Sequence, residues 1–248
     1  MTALIKRTAL AAMVLVSAAV VAEERPVTIE LGVDAVSNYV WRGQLLTDDP
    51  VLQPSVTVGY KGFSLNAWGS IDMTDVNEVG DEDYRLQEVD YTLSYAFSSV
   101  EGLDLEGGVI HYDFPGTGFD ATRELYGSAA LSSMFLAPTL TVYYDFDEVD
   151  GVYANLGIGH AFEFRDSLEV SLDAGLGWSD ADYNGAYFGV DESAFQELAI
   201  TASLDYSVTD RFGVSVFVGY SELLDGDIED VVSDPDIFSA GVGVTLSY

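Results

Sequence analysis

The chain has 248 residues, a formal net charge of −33 and no cysteine, and hydrophobic residues make up 48% of it. The charge excludes nucleic-acid binding, which needs a positive surface, and the lack of cysteine excludes disulfides and thiolate metal sites. The hydrophobic share is too high for a disordered acidic chain, so apolar and acidic side chains must occupy different surfaces of one folded domain.

The first 22 residues have the layout of a secretory signal peptide. Lys6 and Arg7 precede an apolar run from Ala9 to Val21, and residues 20–22 offer a small-residue cleavage site. The run is shorter than the roughly 20 apolar residues of a membrane-spanning helix. We therefore expect export through the inner membrane and one mature domain over residues 23–248.

Segments in which apolar and small or polar residues alternate follow the signal peptide. In the last of them, Phe238, Val242 and Val244 alternate with Gly241 and Thr245, the period of two residues that is typical of β-strands. The pattern predicts twelve strands, at 27–41, 51–60, 63–71, 86–97, 103–112, 124–131, 140–145, 151–164, 168–178, 198–206, 212–220 and 238–248. Short connections alternate with mostly longer ones, as in outer-membrane barrels.

Aromatic residues indicate that the barrel lies in a membrane. Phe97 and Tyr206 lie where the apolar faces meet short turns, and Trp41, Tyr144 and Trp178 lie where they meet long loops. Aromatic residues are enriched at these two levels in membrane barrels, because both levels are membrane–water interfaces. A soluble β-sandwich, the alternative, would have polar outer faces. The sequence therefore predicts an all-β fold, an antiparallel up-and-down transmembrane β-barrel of about 12 strands in the bacterial outer membrane.

Within the predicted strands, acidic residues alternate with the apolar ones and therefore lie on the opposite face. Because the apolar face contacts lipid, we expect the acidic residues to face the barrel lumen. The candidate lumen and selectivity residues are Asp34, Glu88, Asp90, Glu106, Asp173 and Asp205. Because rings of carboxylates make a pore prefer cations, one interpretation is a porin-like channel for small solutes or ions that prefers cations. The other is that the carboxylates only solvate the interior. Trp68, Tyr153 and Phe217 face inward and would narrow any passage.

Three classes of function stay open: a channel, a non-conducting scaffolding barrel and, with least support, an outer-membrane hydrolase. Both histidines, His111 and His160, are expected on the lipid-facing side of their strands. A serine–histidine dyad would need a serine on a neighbouring strand at the same level as His111, and the sequence offers none there. The acidic loop 225–236 lacks the EF-hand calcium pattern. We therefore expect no catalytic residue, no metal site and no cofactor. The expected partners are outer-membrane lipid, lipopolysaccharide and small solutes or cations, and the oligomeric state stays open.

The first predicted hairpin carries a family resemblance. Val36-Ser-Asn-Tyr-Val-Trp-Arg-Gly43 is followed by Thr47-Asp-Asp-Pro50, Val51-Leu-Gln53 and Ala67-Trp68-Gly-Ser70. This pattern resembles the opening of the TorF-type porin family, and the resemblance implies an outer-membrane porin-like protein. Arg42 lies where the first strand meets its outer loop. Two interpretations of Arg42 stay open: a rim salt bridge that pins the loop, and a contact with a lipid A phosphate.

Overall fold

The computed structural model describes residues 27–74, 84–97, 101–115 and 117–248. The predicted signal peptide lies outside these residues, as does most of the acidic loop 72–83. The strands are β1 (Thr28–Val36), β2 (Tyr39–Trp41), β3 (Gln44–Thr47), β4 (Val51–Tyr60), β5 (Phe63–Asp72), β6 (Arg85–Phe97), β7 (Asp104–Asp113), β8 (Thr122–Ala130), β9 (Thr139–Asp145), β10 (Val152–Arg165), β11 (Leu168–Ser179), β12 (Ala194–Ser207), β13 (Phe212–Leu223) and β14 (Asp236–Ser247). Two short helices are α1 (Ala181–Tyr187) and α2 (Gly226–Glu229).

Twelve strands, β1 and β4 to β14, form a closed antiparallel barrel. Consecutive strands pair around the circle, and β1 closes it by pairing with both β14 and β4, so that Leu31 stands opposite Leu246 and Val56. Closure satisfies backbone groups that hydrocarbon could not hydrogen-bond. The predicted fold class and strand number are confirmed.

The outer face of the barrel is apolar, as the alternation predicts. Ile29, Leu31 and Val33 of β1 are exposed, and so is Leu172 at the middle of β11. The residues between them lie on the inner face, where Gly32 is buried and Glu30 half-buried, because successive residues of a strand face opposite sides. A continuous exposed apolar band of this kind suits a hydrocarbon environment.

The first predicted strand, 27–41, is too long. β1 ends at Val36, and β2 pairs instead with β3 in a separate two-stranded hairpin. Trp41, which we expected at the outer lipid interface, packs against the buried rings of Tyr112 and Tyr183. The alternation of apolar residues continues through β2, but the chain has already left the barrel wall.

The two ends of the barrel differ. One end carries both chain ends of the barrel, where Ile29 and Tyr248 exchange backbone hydrogen bonds, and short turns such as Lys61-Gly62 and Asp166-Ser167. The opposite end carries the β2–β3 hairpin, α1 and α2. In outer-membrane barrels short turns are periplasmic and long loops extracellular, and we orient the chain accordingly. None of the described helices is both long and apolar enough to cross a membrane.

We expect Leu172→Arg to destabilise the protein in lipid. Leu172 is 52% exposed on the outer face of β11, and an arginine at the bilayer midplane of a barrel lowers the free energy of unfolding by about 2–4 kcal/mol. Denaturant unfolding from phospholipid vesicles measures this loss. Leu224→Arg, on the exposed extracellular loop after β13, is the matched control and should change stability by no more than about 0.5 kcal/mol. Equal effects of the two substitutions would contradict the assignment of the lipid face.

Candidate functional site

The β2–β3 hairpin crosses the barrel lumen. It is carried by β1 and β4, and β9 and β10 lie on the opposite side of the twelve-strand circle. Arg42, in the turn of the hairpin, reaches Glu124 of β8 with two hydrogen bonds, Nη1 to Oε1 at 2.8 Å and Nη2 to Oε2 at 2.6 Å. This is the bidentate arrangement in which a guanidinium binds a carboxylate most strongly. The hairpin therefore joins opposite walls of the barrel.

Four aromatic rings enclose the Arg42 guanidinium. Its Cζ atom lies 4.4 Å from the ring centroids of Tyr143 and Tyr153, 4.5 Å from that of Trp41 and 5.7 Å from that of Tyr183. Cations within about 6 Å of a ring centroid are attracted by the negative face of the ring. The Arg42 side chain is only 4% exposed. The charge of Arg42 is therefore held by rings as well as by a carboxylate.

Glu124 is buried as deeply as its partner, with a side chain that is 1% exposed. Its Oε2 atom also accepts a hydrogen bond of 2.8 Å from the Tyr112 hydroxyl. A buried ion pair is stable only when such additional hydrogen bonds compensate for the loss of water. The carboxylate is thus oriented by the barrel wall independently of the hairpin.

Both flanks of the hairpin turn are fixed to the wall. Gln196 of β12 donates a 2.6 Å hydrogen bond from Nε2 to the backbone oxygen of Arg42. On the other side, the Thr47 hydroxyl donates to Oε1 of Gln87 on β6 at 2.9 Å. The hairpin is consequently held on several sides of the lumen.

The hairpin turn requires a glycine at position 43. Its φ is 79°, a left-handed conformation that glycine adopts without steric cost. A Cβ atom at this position would lie 2.8 Å from the Leu223 side chain and 3.1 Å from Cβ of Glu197. Backbone conformation and close packing therefore both require glycine beside Arg42.

Helix α1 covers the hairpin from the extracellular side. Asp180 caps the helix by accepting a hydrogen bond from the backbone N–H of Tyr183 at 2.9 Å, as N-cap residues do. The helix directs Tyr183 and Tyr187 onto the Trp41 ring, and Arg42 Nη1 donates to the Tyr183 hydroxyl at 3.5 Å. Burial raises the pKa of both tyrosines above its ordinary value, so the two phenols stay neutral.

The predicted lumen acids all lie on inward-facing positions, and three of them stand on the adjacent strands β6 and β7. Glu88 and Asp90 lie two residues apart on the inner face of β6, and Glu88 lies close to the hydroxyl of Tyr39 in β2. Glu106 accepts a 2.7 Å hydrogen bond from Tyr126. Glu88 and Asp90 therefore lie beside the hairpin.

The other three predicted acids lie on the wall of small residues. Asp34 of β1 and Asp205 of β12 are in register with Gly243 and Ser215 of the two strands between them, and a Cβ atom on Gly243 would overlap Oδ1 of Asp34. The charge of Asp205 acts on both Asp34 and Asp173. These three carboxylates form one acidic surface inside the barrel.

Sequence reasoning missed the partner of Arg42. The alternation in β8, Thr122-Arg-Glu124-Leu-Tyr126, could have placed Glu124 on the inner face. Alternation alone does not tell which inward acid the loop with Arg42 contacts. Arg42 itself was expected at the rim, and its guanidinium lies inside the barrel. The lipid A phosphate interpretation of Arg42 is therefore wrong, because a buried side chain facing Glu124 cannot contact the outer leaflet.

Two solved outer-membrane proteins have a similar fold. The NanC porin superposes with a TM-score of 0.53 and 10% identity, covering 89% of this chain and 98% of that one. An outer membrane channel from Pseudomonas putida F1 superposes with a TM-score of 0.55 and 9% identity, covering 92% and 97%. At such identities the likeness shows the fold alone, that of an outer-membrane β-barrel.

A family model also matches almost the whole barrel. The family described as MltA-interacting protein MipA matches residues 29–248, whereas no curated protein sequence matches the chain. This family and the TorF-type resemblance of residues 36–72 agree on an outer-membrane barrel. The finer TorF-type assignment stays a prediction.

We expect Arg42→Ala to lower the free energy of unfolding by about 3–5 kcal/mol, because it leaves the Glu124 carboxylate buried without its counter-charge. Denaturant unfolding of the purified barrel measures the loss. The double variant Arg42→Ala/Glu124→Gln should lose less than the sum of the two single variants.

The control is the exposed ion pair of Arg123 and Asp147, whose side chains are 51% and 31% exposed and 3.0 Å apart. Arg123→Ala should cost less than about 1 kcal/mol, as surface pairs do. If Arg42→Ala costs no more than Arg123→Ala, the hairpin is not held by the buried pair.

Proposed function

The chain belongs to the MltA-interacting protein MipA family, and from that premise we propose that it is a porin-like outer-membrane channel for small cations, which the β2–β3 hairpin keeps closed. The observation that carries the proposal is the acidic surface formed by Asp34, Asp173 and Asp205 inside the barrel. A lumen wall of this charge attracts cations and repels anions.

Electrostatics supports this choice of solute. Two unit charges 4 Å apart interact by about 1 kcal/mol even in water, and carboxylate rings are the usual basis of cation preference in pores. Oδ2 of Asp173 is buried and has no hydrogen-bond partner among the described residues. A carboxylate oxygen in that position favours a passing cation as its counter-charge.

Closure by the hairpin is supported by the way it is attached. The hairpin lies within the loop 37–50 and takes no part in the pairing of the barrel wall. Its hydrogen bonds with Glu124, Gln87 and Gln196 each involve a side chain of the wall and no strand pairing. The hairpin can therefore leave the lumen while every strand of the barrel stays paired.

We expect Arg42→Ala to conduct better than the unaltered protein in planar lipid bilayers, by at least several-fold, because the hairpin loses its attachment to the opposite wall. In a salt gradient, the reversal potential should show cation preference. Adding Asp34→Asn, Asp173→Asn and Asp205→Asn should reduce that preference, since it removes the acidic surface.

The control for opening is Arg123→Ala, which breaks an ion pair outside the lumen and should leave conductance unchanged. Anion preference of the Arg42→Ala channel at neutral pH would refute the cation proposal. A folded Arg42→Ala barrel that never conducts would refute the channel.

The second candidate is a scaffold that holds an MltA-type protein, the partner given in the name of the family. A specific feature of the periplasmic end favours it. β9 pairs with β10 only from Val152 to Gly157, whereas β10 continues to Arg165 beside β11. Gly159 donates its backbone N–H to the backbone oxygen of Leu136 in the preceding turn. Because alternate residues of a strand direct their backbone groups to the same side, those of Ala161 point the same way as those of Gly159, beyond the end of the pairing with β9. Open strand edges are common docking sites for extended segments of partners.

We expect the purified barrel to bind the MltA protein of the same organism and Ala161→Pro to weaken that binding at least tenfold. Proline removes the N–H on the open edge and leaves the pairing with β11 intact, which is why edge positions tolerate it. Surface plasmon resonance in detergent measures the affinity. Leu224→Arg, at the extracellular end, should bind normally. The scaffold proposal fails if the unaltered barrel does not bind MltA.

A further inference from the structure

We propose that the pocket around the Arg42 guanidinium is a binding site for small organic cations that carry a guanidinium group, and that Arg42 occupies it as a tethered stand-in for such a ligand. A free guanidinium compound would then displace Arg42 and release the hairpin. The release of a channel rests on the function proposed above, whereas the binding site rests on the geometry of the barrel wall.

The pocket belongs to the wall and not to the hairpin. Its carboxylate is Glu124 on β8, and two of its rings, Tyr143 and Tyr153, stand on the next two strands, β9 and β10. Tyr126, Tyr143 and Tyr153 follow one another in register around the wall. Departure of the hairpin removes Arg42 and Trp41 and leaves these groups in place.

The wall also holds the pocket in shape by its own contacts. Tyr112 donates a 2.8 Å hydrogen bond to Glu124, and Tyr153 donates a 2.5 Å hydrogen bond to Glu197 of β12. The ring centroids of Tyr143 and Tyr153 are 6.0 Å apart. None of these contacts involves Arg42, so the site is preorganised, and preorganisation favours ligand binding by lowering its entropic cost.

The chemistry of the pocket fits a guanidinium better than other cations. Both oxygens of Glu124 take part, each accepting from a different Arg42 nitrogen, and only a planar fork of N–H donors makes two such bonds at once. The two wall rings lie 4.4 Å from Cζ, at the distance where a flat cation stacks on an aromatic face. An ammonium group is a compact point charge and meets only part of this arrangement.

Arg42 competes with any free ligand because it is attached to the same barrel. A group tethered by a short loop acts as if present at about millimolar concentration. A free guanidinium compound must therefore reach comparable concentrations to displace it from the unaltered protein. When the pocket is vacated by substitution, the same compound should bind at lower concentrations.

The test uses two probes of the same size, butylguanidinium and its neutral isostere butylurea, with purified barrel in detergent. Isothermal titration calorimetry should show butylguanidinium binding to Arg42→Ala at least tenfold more tightly than to the unaltered protein, and it should raise the unfolding temperature of Arg42→Ala. Butylurea should do neither. The matched control Arg42→Ala/Glu124→Gln lacks the carboxylate and should not bind butylguanidinium.

Arg42→Lys is a second variant in case Arg42→Ala does not fold. Lysine keeps a charge on the hairpin but loses the bidentate fork, so butylguanidinium should bind to Arg42→Lys more tightly than to the unaltered protein. Equal binding of butylurea and butylguanidinium, or no binding of butylguanidinium to a folded Arg42→Ala or Arg42→Lys, would overturn the site.

Calorimetry does not depend on conduction, so the two proposals fail separately. An Arg42→Ala barrel that conducts cations but does not bind butylguanidinium refutes the site and leaves the channel standing. A barrel that binds butylguanidinium through Glu124 but does not conduct supports the site and refutes the channel.

Discussion

The interior of the barrel depends on one buried ion pair. Removing two charges from water costs several kcal/mol for each ion, and the attraction between them offsets that cost only when the remaining hydrogen-bonding capacity is also satisfied. Here Glu124 binds Arg42 through both oxygens and Tyr112 through one of them, and four rings surround the guanidinium. The pair thereby attaches the hairpin to the wall, and the hairpin packs against α1 through Trp41. Of the nine lysines and arginines of the chain, Arg42 is buried at the centre of this arrangement.

The lumen of this barrel has two unlike sides. From β7 to β10 the inward residues include large tyrosines, among them Tyr112, Tyr126, Tyr143 and Tyr153. From β11 to β14 most are small, such as Ser171, Ser203, Ser215 and Gly243, with Phe217 as a large exception. The hairpin packs its cation on the aromatic side, whereas Asp34, Asp173 and Asp205 lie with the small residues.

Most of the wall could be predicted from the sequence, because the alternation of apolar and polar residues is a local property with a fixed period. The inward direction of Tyr153 and Phe217 follows from the same parity. The hairpin could not be predicted in this way. Tyr39-Val40-Trp41 continues the apolar pattern of β1, and the contact that turns it inward is made with Glu124, 82 residues further along the chain. Parity gives the face of a side chain, but it does not identify a distant partner.

The channel and scaffold proposals use different parts of the molecule, so one does not exclude the other. The first rests on the lumen and on an extracellular loop that folds into it, and the second on the periplasmic edge of β10. Fold likeness at 9–10% identity does not decide between them, since one fold serves many functions and function lies in the sites built on it. The β2–β3 hairpin makes the two proposals compatible. If it closes the lumen at the extracellular side, as we propose, the periplasmic edge can hold a partner without a permanent leak through the barrel.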